Sequence, residues 1–199
     1  MYWKSQYAVA VNATSQRQKG KEMEKGNKTG QEKKMQRMVN DLIKMAERRG
    51  ATYYGSWIED GKQYIAGSHF CVCLDKTVEL PERDGSSVKK PMYDYMKNAR
   101  IMNEKETALP DELDSMVKTL KKERGRYRSK RIFCFLGDRE AAVNAEYLLM
   151  LSQVTGAKSI YLSEKRPEKS IIYGSGENGA FIVLSVSFTE EDQKNFWME

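Results

Sequence analysis

The strongest constraint on this chain lies between residues 144 and 188, where a helical pattern gives way to three β-rich runs. Asn144 to Gly156 reads Asn-Ala-Glu-Tyr-Leu-Leu-Met-Leu-Ser-Gln-Val-Thr-Gly. Asn is a preferred N-cap, because its side-chain oxygen accepts a free N–H of the first turn. Gly just past the last helical residue adopts the left-handed conformation that ends helices. The spacing predicts an apolar helix of about three turns. Three short runs follow: Ser159-Ile-Tyr-Leu-Ser163, Ser170-Ile-Ile-Tyr173 and Glu177 to Phe188, with turn residues between them. The region therefore reads as a helix followed by a three-stranded meander.

Upstream, Thr29-x-x-Glu32 is a capping box. Met35, Met38, Val39, Leu42, Ile43 and Ala46 follow at i, i+3, i+4, i+7 spacing, which predicts an amphipathic helix to about Arg49 with Gly50 as its stop. β-rich runs are expected at 52–58 and 63–66, split by Glu59-Asp60-Gly61-Lys62, which contains an Asp-Gly hairpin signal. A further run covers 69–80. Residues 6–13 read as a strand and 14–30 as a flexible polar loop. Residues 81–108 read as polar and irregular. Pro110 followed by Asp111-Glu112-Leu113 opens a short helix to about Lys122, with Leu113, Met116, Val117 and Leu120 as its stripe. Glu123 to Lys130 is strongly basic. Arg131 to Leu136 is expected as a strand, and Glu140 to Val143 as another short run. Thr189 to Glu199 is expected as a surface tail.

Taken coarsely, each half of the chain is strand, helix, three strands. The expected fold is α+β, a single domain over 1–199. Its half-units cover about 6–80 and 131–188, with an insertion at 81–130. The Asn-x-x-Tyr-Leu-Leu opening of the second helix and the closing Phe-Ile-Val-Leu-Ser-Val-Ser-Phe strand resemble the C-terminal domain of bacterial replicative sliding clamps. Each domain of that family is a duplicated β-α-β-β-β unit, with two helices packed on antiparallel sheet. The resemblance implies a DNA-clamp-like domain, a non-enzymatic role in DNA replication and possible homo-oligomers. It is clearest over 131–188.

The net charge of +6 is localised. Residues 14–49 carry eleven Lys/Arg against five acids, and the rest of the chain is balanced. A localised excess points to a polyanionic partner better than a high pI does. On the first helix, Lys33, Arg37, Lys44 and Arg48 form a stripe opposite the Met35–Leu42–Ala46 face. Clamp helices line the ring and face DNA phosphates, so the resemblance makes this stripe the candidate duplex-DNA contact, independent of base sequence. A solvated lysine-rich face is the alternative. The resemblance also aligns Ile182, Leu184, Ser185 and Val186 with the C-terminal segment through which clamps bind short linear motifs of polymerases and loaders. Ser185 replaces the family's Pro, and the chain runs on past Phe188. Ordinary sheet core is the alternative there.

Catalytic signatures are absent from the sequence: no phosphate loop, no Gly-x-Ser-x-Gly, no His-Glu metal pair. Gly174-Ser-Gly176 is expected between two strands. His69, Cys71 and Cys73 would share one face of a strand, but the spacing is not that of a zinc site and no second cluster supplies ligands. Metal and cofactors are therefore not expected, and the three cysteines are expected to be reduced. No apolar run approaches the ~20 residues of a membrane span. The sequence thus reads as a cytoplasmic, DNA-associated accessory protein, for which the resemblance suggests a minimal or divergent clamp of a phage or mobile element. The alternative is a clamp-fold protein-interaction module that does not bind DNA.

Overall fold

The structure is a computed structural model that describes residues 29–48, 51–80, 83, 86–123, 133–136, 141–163 and 171–186. The expected strand at 6–13, most of the loop 14–30, the basic run after Glu123 and the tail 189–199 lie outside the described residues. The chain divides into two compact units, Met1–Met35 and Gln36–Glu199. In the first, the described residues hold the expected capping box. Glu32 Oε2 accepts from the Thr29 N–H at 2.8 Å, and Thr29 Oγ1 accepts from the Glu32 N–H at 3.3 Å.

The second unit is α+β. Helix α1 (Gly30–Arg48) begins in the first unit and buries Val39, Leu42, Ile43 and Ala46 in the second. Strands β1 (Tyr53–Glu59) and β2 (Lys62–Gly67) form the expected hairpin. Its two-residue turn has Asp60 at φ 50° and Gly61 at φ 73°. Both left-handed residues fit the type I′ turn, whose twist matches the flanking strands. Strand β3 (Phe70–Leu74) follows. Residues 81–108 are not irregular: they contain helix α2 (Ser86–Met102) and strand β4 (Lys105–Ala108). Helix α2 forms because Val88, Met92, Met96 and Ala99 repeat at helical spacing and pack on one face of the sheet. That packing offsets the hydrogen bond lost at Pro91, inside the helix.

Helix α3 (Leu113–Glu123) precedes the two-stranded pair β5 (Phe133–Leu136) and β6 (Ala141–Asn144). Helix α4 (Ala145–Thr155) then starts and stops where its caps dictate. Asn144 Oδ1 accepts from the Glu146 and Tyr147 N–H groups, and Gly156 takes φ 74°. The meander is β7 (Ser159–Leu162), β8 (Ile171–Gly176) and β9 (Gly179–Leu184). Gly174-Ser-Gly176 lies within β8, not between strands.

The main sheet has seven strands in the order β1-β2-β3-β9-β8-β7-β4, with every pair antiparallel. The register carries an internal symmetry. One constant step along the chain moves Lys62 to Ile171, Tyr64 to Tyr173, Gly67 to Gly176, Phe70 to Gly179 and Leu74 to Val183. The β2–β3 and β8–β9 hairpins therefore coincide residue for residue. The step also carries Val72 onto its cross-strand partner Phe181, so the pseudo-two-fold axis passes through that pair at the central β3–β9 seam.

The two faces of the sheet have different covers. Ile65, Val72, Phe181, Val183 and Ile172 lie on one face and are essentially inaccessible. Helix α4 packs there, with the Tyr147 ring 5.6 Å from that of Phe70. Gln63, on the same face, exchanges two hydrogen bonds with the Val78 backbone. The adjoining Glu79 backbone does the same with Gln36 of α1. Tyr64, Cys71, Cys73, Tyr173 and Ile182 point to the other face, under Met96 and Ala99 of α2. Among the described residues, no helix is long and apolar enough to cross a membrane.

Candidate functional site

The cation stripe expected on α1 is exposed. Lys33 belongs to the first unit; Arg37, Lys44 and Arg48 belong to the second, opposite the buried Val39–Leu42–Ala46 stripe. Arg37 Nε lies 4.0 Å from Asp41 Oδ2, with both side chains largely solvated, so this pair adds little stability. Neither Lys44 nor Arg48 has an ion-pair partner among the described residues. Glu47, one residue before Arg48, is held instead by Arg83 Nη2 at 3.1 Å. That guanidinium also stacks over the Tyr53 ring at 5.3 Å. Glu47 is thus drawn toward Arg83, and Arg37, Lys44 and Arg48 outnumber Asp41 on this face.

Helix α4 offers no matching surface. It is buried on nearly every side, and Gln153 is its exposed polar residue. Helix α3 packs along it, and Lys121 Nζ lies 3.4 Å from the buried Glu146.

The expected partner-binding residues separate. Ile182 is 3 % exposed and belongs to the core beneath α2, because alternation along β9 turns it to that face. It is a core residue, not part of a surface pocket. Leu184 is 43 % exposed at the end of β9, and Val186 is half-buried. Both line a small apolar hollow of about 30 Å³ with His69, Phe133, Tyr147 and Val183. Main-chain bonds fix its rim: the Leu184 N–H donates to His69 O at 3.0 Å and the Val186 N–H to Ala142 O at 2.8 Å. A hollow of this size admits the tip of one side chain.

The grouping of His69 with Cys71 and Cys73 does not form. His69 precedes β3, and its ring lies 6.0 Å from that of Tyr147 on the α4 side. Cys71 and Cys73 face α2. Burial pushes both thiols up, and it pushes Cys134 up to about 12. Protonated, buried thiols are poor nucleophiles and poor metal ligands. No cluster of metal-ligating side chains occurs among the described residues.

One feature escaped the sequence altogether. An open groove of about 480 Å³ lies on the α2 face of the sheet, past the C-terminal end of that helix. Tyr161 and Tyr173 form one wall, with ring centroids 6.0 Å apart. Arg100, Asn103 and Glu104 form another. The Asn103 side-chain N–H donates to Ile171 O, which fixes that wall to β8. Lys62 and Asp75 pair at 2.8 Å along the rim, and this bond raises the Lys62 pKa. The tyrosines become neighbours only through the β7–β8 register, so linear spacing does not bring them together.

No protein-family model, curated protein or solved structure matches this chain.

Proposed function

We propose that this protein is a non-enzymatic, DNA-associated accessory factor with a clamp-like domain, contacting duplex phosphates through α1. The observation that carries this reading is the exposed Arg37–Lys44–Arg48 face, on the helix that precedes the first of two symmetry-related meanders. The repeated helix-then-meander order supports the clamp-like part of the reading. The burial of α4 makes the DNA surface one-sided, and that favours loose association over a lining on both helices.

Duplex binding tests the reading directly. Three phosphate contacts release counterions, so log affinity falls against log salt with a slope of roughly −3. The double variant Arg37→Glu/Lys44→Glu weakens all duplex sequences alike. Absence of binding at low salt removes α1 as a DNA surface.

A protein-interaction module is the second reading, favoured by the apolar hollow at Leu184 and Val186. It takes first place if duplex binding fails and Leu184→Asp abolishes capture of a peptide bearing one apolar anchor.

A further inference from the structure

We infer that the groove beside Tyr161 and Tyr173 binds a nucleoside monophosphate, free or as one unit of a single strand, with the base on Tyr161 and the phosphate at Arg100. The inference is independent of the α1 surface.

The pseudo-two-fold step supplies the first argument. It carries Tyr64 onto Tyr173, and the cross-strand partners of these two residues are Trp57 and Tyr161. Each half of the sheet thus bears an aromatic pair at the same place on the same face. The first pair, Trp57–Tyr64, is stacked at 5.5 Å, and a third ring, Tyr93 of α2, leans on Tyr64 at 5.7 Å with a 58° tilt; the second pair is itself tilted by 49°. Tyr93 is also held by a hydrogen bond from its hydroxyl to Asp60, at 3.2 Å. The second pair has no third ring among the described residues. Helix α2 ends beside it, with Asn103 held to Ile171 O, and the groove opens along the Ser175–Gly176 side of Tyr173.

The lining supplies the second argument. Ser175, Gly176, Gly179 and Ala180 line it with small side chains, leaving depth for a planar ligand. The volume falls within the range of about 300–1,000 Å³ usual for small-molecule clefts. Lys62 is matched by Asp75, so Arg100 is the one lining cation without a carboxylate partner among the described residues. A single unpaired guanidinium suits one phosphate and gives nothing extra to a triphosphate. Glu104 and Asn103 stand beside it as hydrogen-bonding groups for the polar edge of a base.

Calorimetric titration of the full chain with adenosine 5′-monophosphate, adenosine, inorganic phosphate and adenosine triphosphate tests this. The monophosphate is expected to bind about tenfold tighter than adenosine or phosphate alone, and at least as tightly as the triphosphate. Tyr161→Ala and Arg100→Gln each weaken it about tenfold. Tyr161→Phe, which keeps the ring and guards against a folding defect, binds like the parent. Competition by a short oligodeoxythymidine assigns the site to a strand; lack of competition assigns it to the free nucleotide. Arg37→Glu/Lys44→Glu leaves the binding unchanged, so this inference and the α1 reading fail separately. A silent titration at millimolar monophosphate overturns it, as does undiminished binding by the two weakening variants.

Discussion

The two halves of the sheet share one backbone plan but not one surface. In the first half, α1 keeps an open cationic face, and Tyr93 leans on Tyr64 of the outer aromatic pair. In the second half the pattern inverts: α4 is buried under α3, and the aromatic pair stands open to the groove. The segment between the halves produces the inversion. Its helix α2 is anchored over the first hairpin by the Lys89–Glu59 ion pair and the Tyr93–Asp60 bond, while α3 closes over α4. The repeated hairpin register thus sets where the two positions lie, and helices α2 and α3 decide which of them meets solvent.

The largest test of the comparison is at the symmetry axis. Phe181→Ala removes a fully buried ring from the seam that both halves share. It should cost about 3–5 kcal/mol, read as a drop in the urea midpoint. Leu184→Ala, on the same strand but exposed, should cost less than about 1 kcal/mol. Equal losses at the two positions would show that the seam is not the common core.

The next test separates the halves by pH. Cys71 and Cys73 of the first half correspond to Ala180 and Ile182 of the second, which do not titrate. Burial raises both thiols above their value of about 8.5 in the unfolded chain. Their protonated form is therefore the folded form. The associated stability is complete below about pH 8.5 and is lost as pH rises toward the folded values, by up to about 1.4 kcal/mol per pH unit per thiol. Denaturation midpoints between pH 8 and 11 should fall steeply in the parent. In Cys71→Ala/Cys73→Ile, which places second-half residues in the first half, they should fall less. An unaltered slope would assign the alkaline loss to other groups.

The helix starts give a smaller contrast. Asn144 is 8 % exposed and caps α4 with two accepted bonds, whereas Thr29 is exposed and caps α1 at 3.3 Å. Asn144→Ala should cost about 1–2 kcal/mol and Thr29→Ala about 0.5 kcal/mol by thermal melting. The smallest effect is expected at the α1 face, where Arg37→Glu/Lys44→Glu should change stability by less than about 0.5 kcal/mol. A larger loss would mean that the cations hold the fold and are not a free surface.

Much of this plan was legible in the sequence because local chemistry dictated it. Thr29 and Glu32, Asp60 and Gly61, and Asn144 and Gly156 each fix a helix end or a turn through their own backbone preferences. Helix α2 was missed because Pro91 and a run of charged and polar residues obscured its stripe. Val88, Met92, Met96 and Ala99 carried the signal at sparse spacing. The fate of α4 was hidden for a different reason: an apolar helix in the sequence does not say how many neighbours will cover it. The division of Ile182 from Leu184, and the meeting of Tyr161 with Tyr173, depend on strand register and on the packing of α2, neither of which is written in nearby residues.

The central β3–β9 pairing has a kinetic consequence. Each hairpin beside it joins residues close in sequence, so each half can acquire much of its structure from local contacts. The seam instead closes a loop running from Leu74 to Gly179, with α2, β4, α3 and α4 inside it. Closing so long a loop sacrifices chain entropy before the contacts at Val72 and Phe181 repay it. The rate of folding is therefore governed by the search that brings the hairpins together. Shortening the connection between them should speed that search with little change in the unfolding rate.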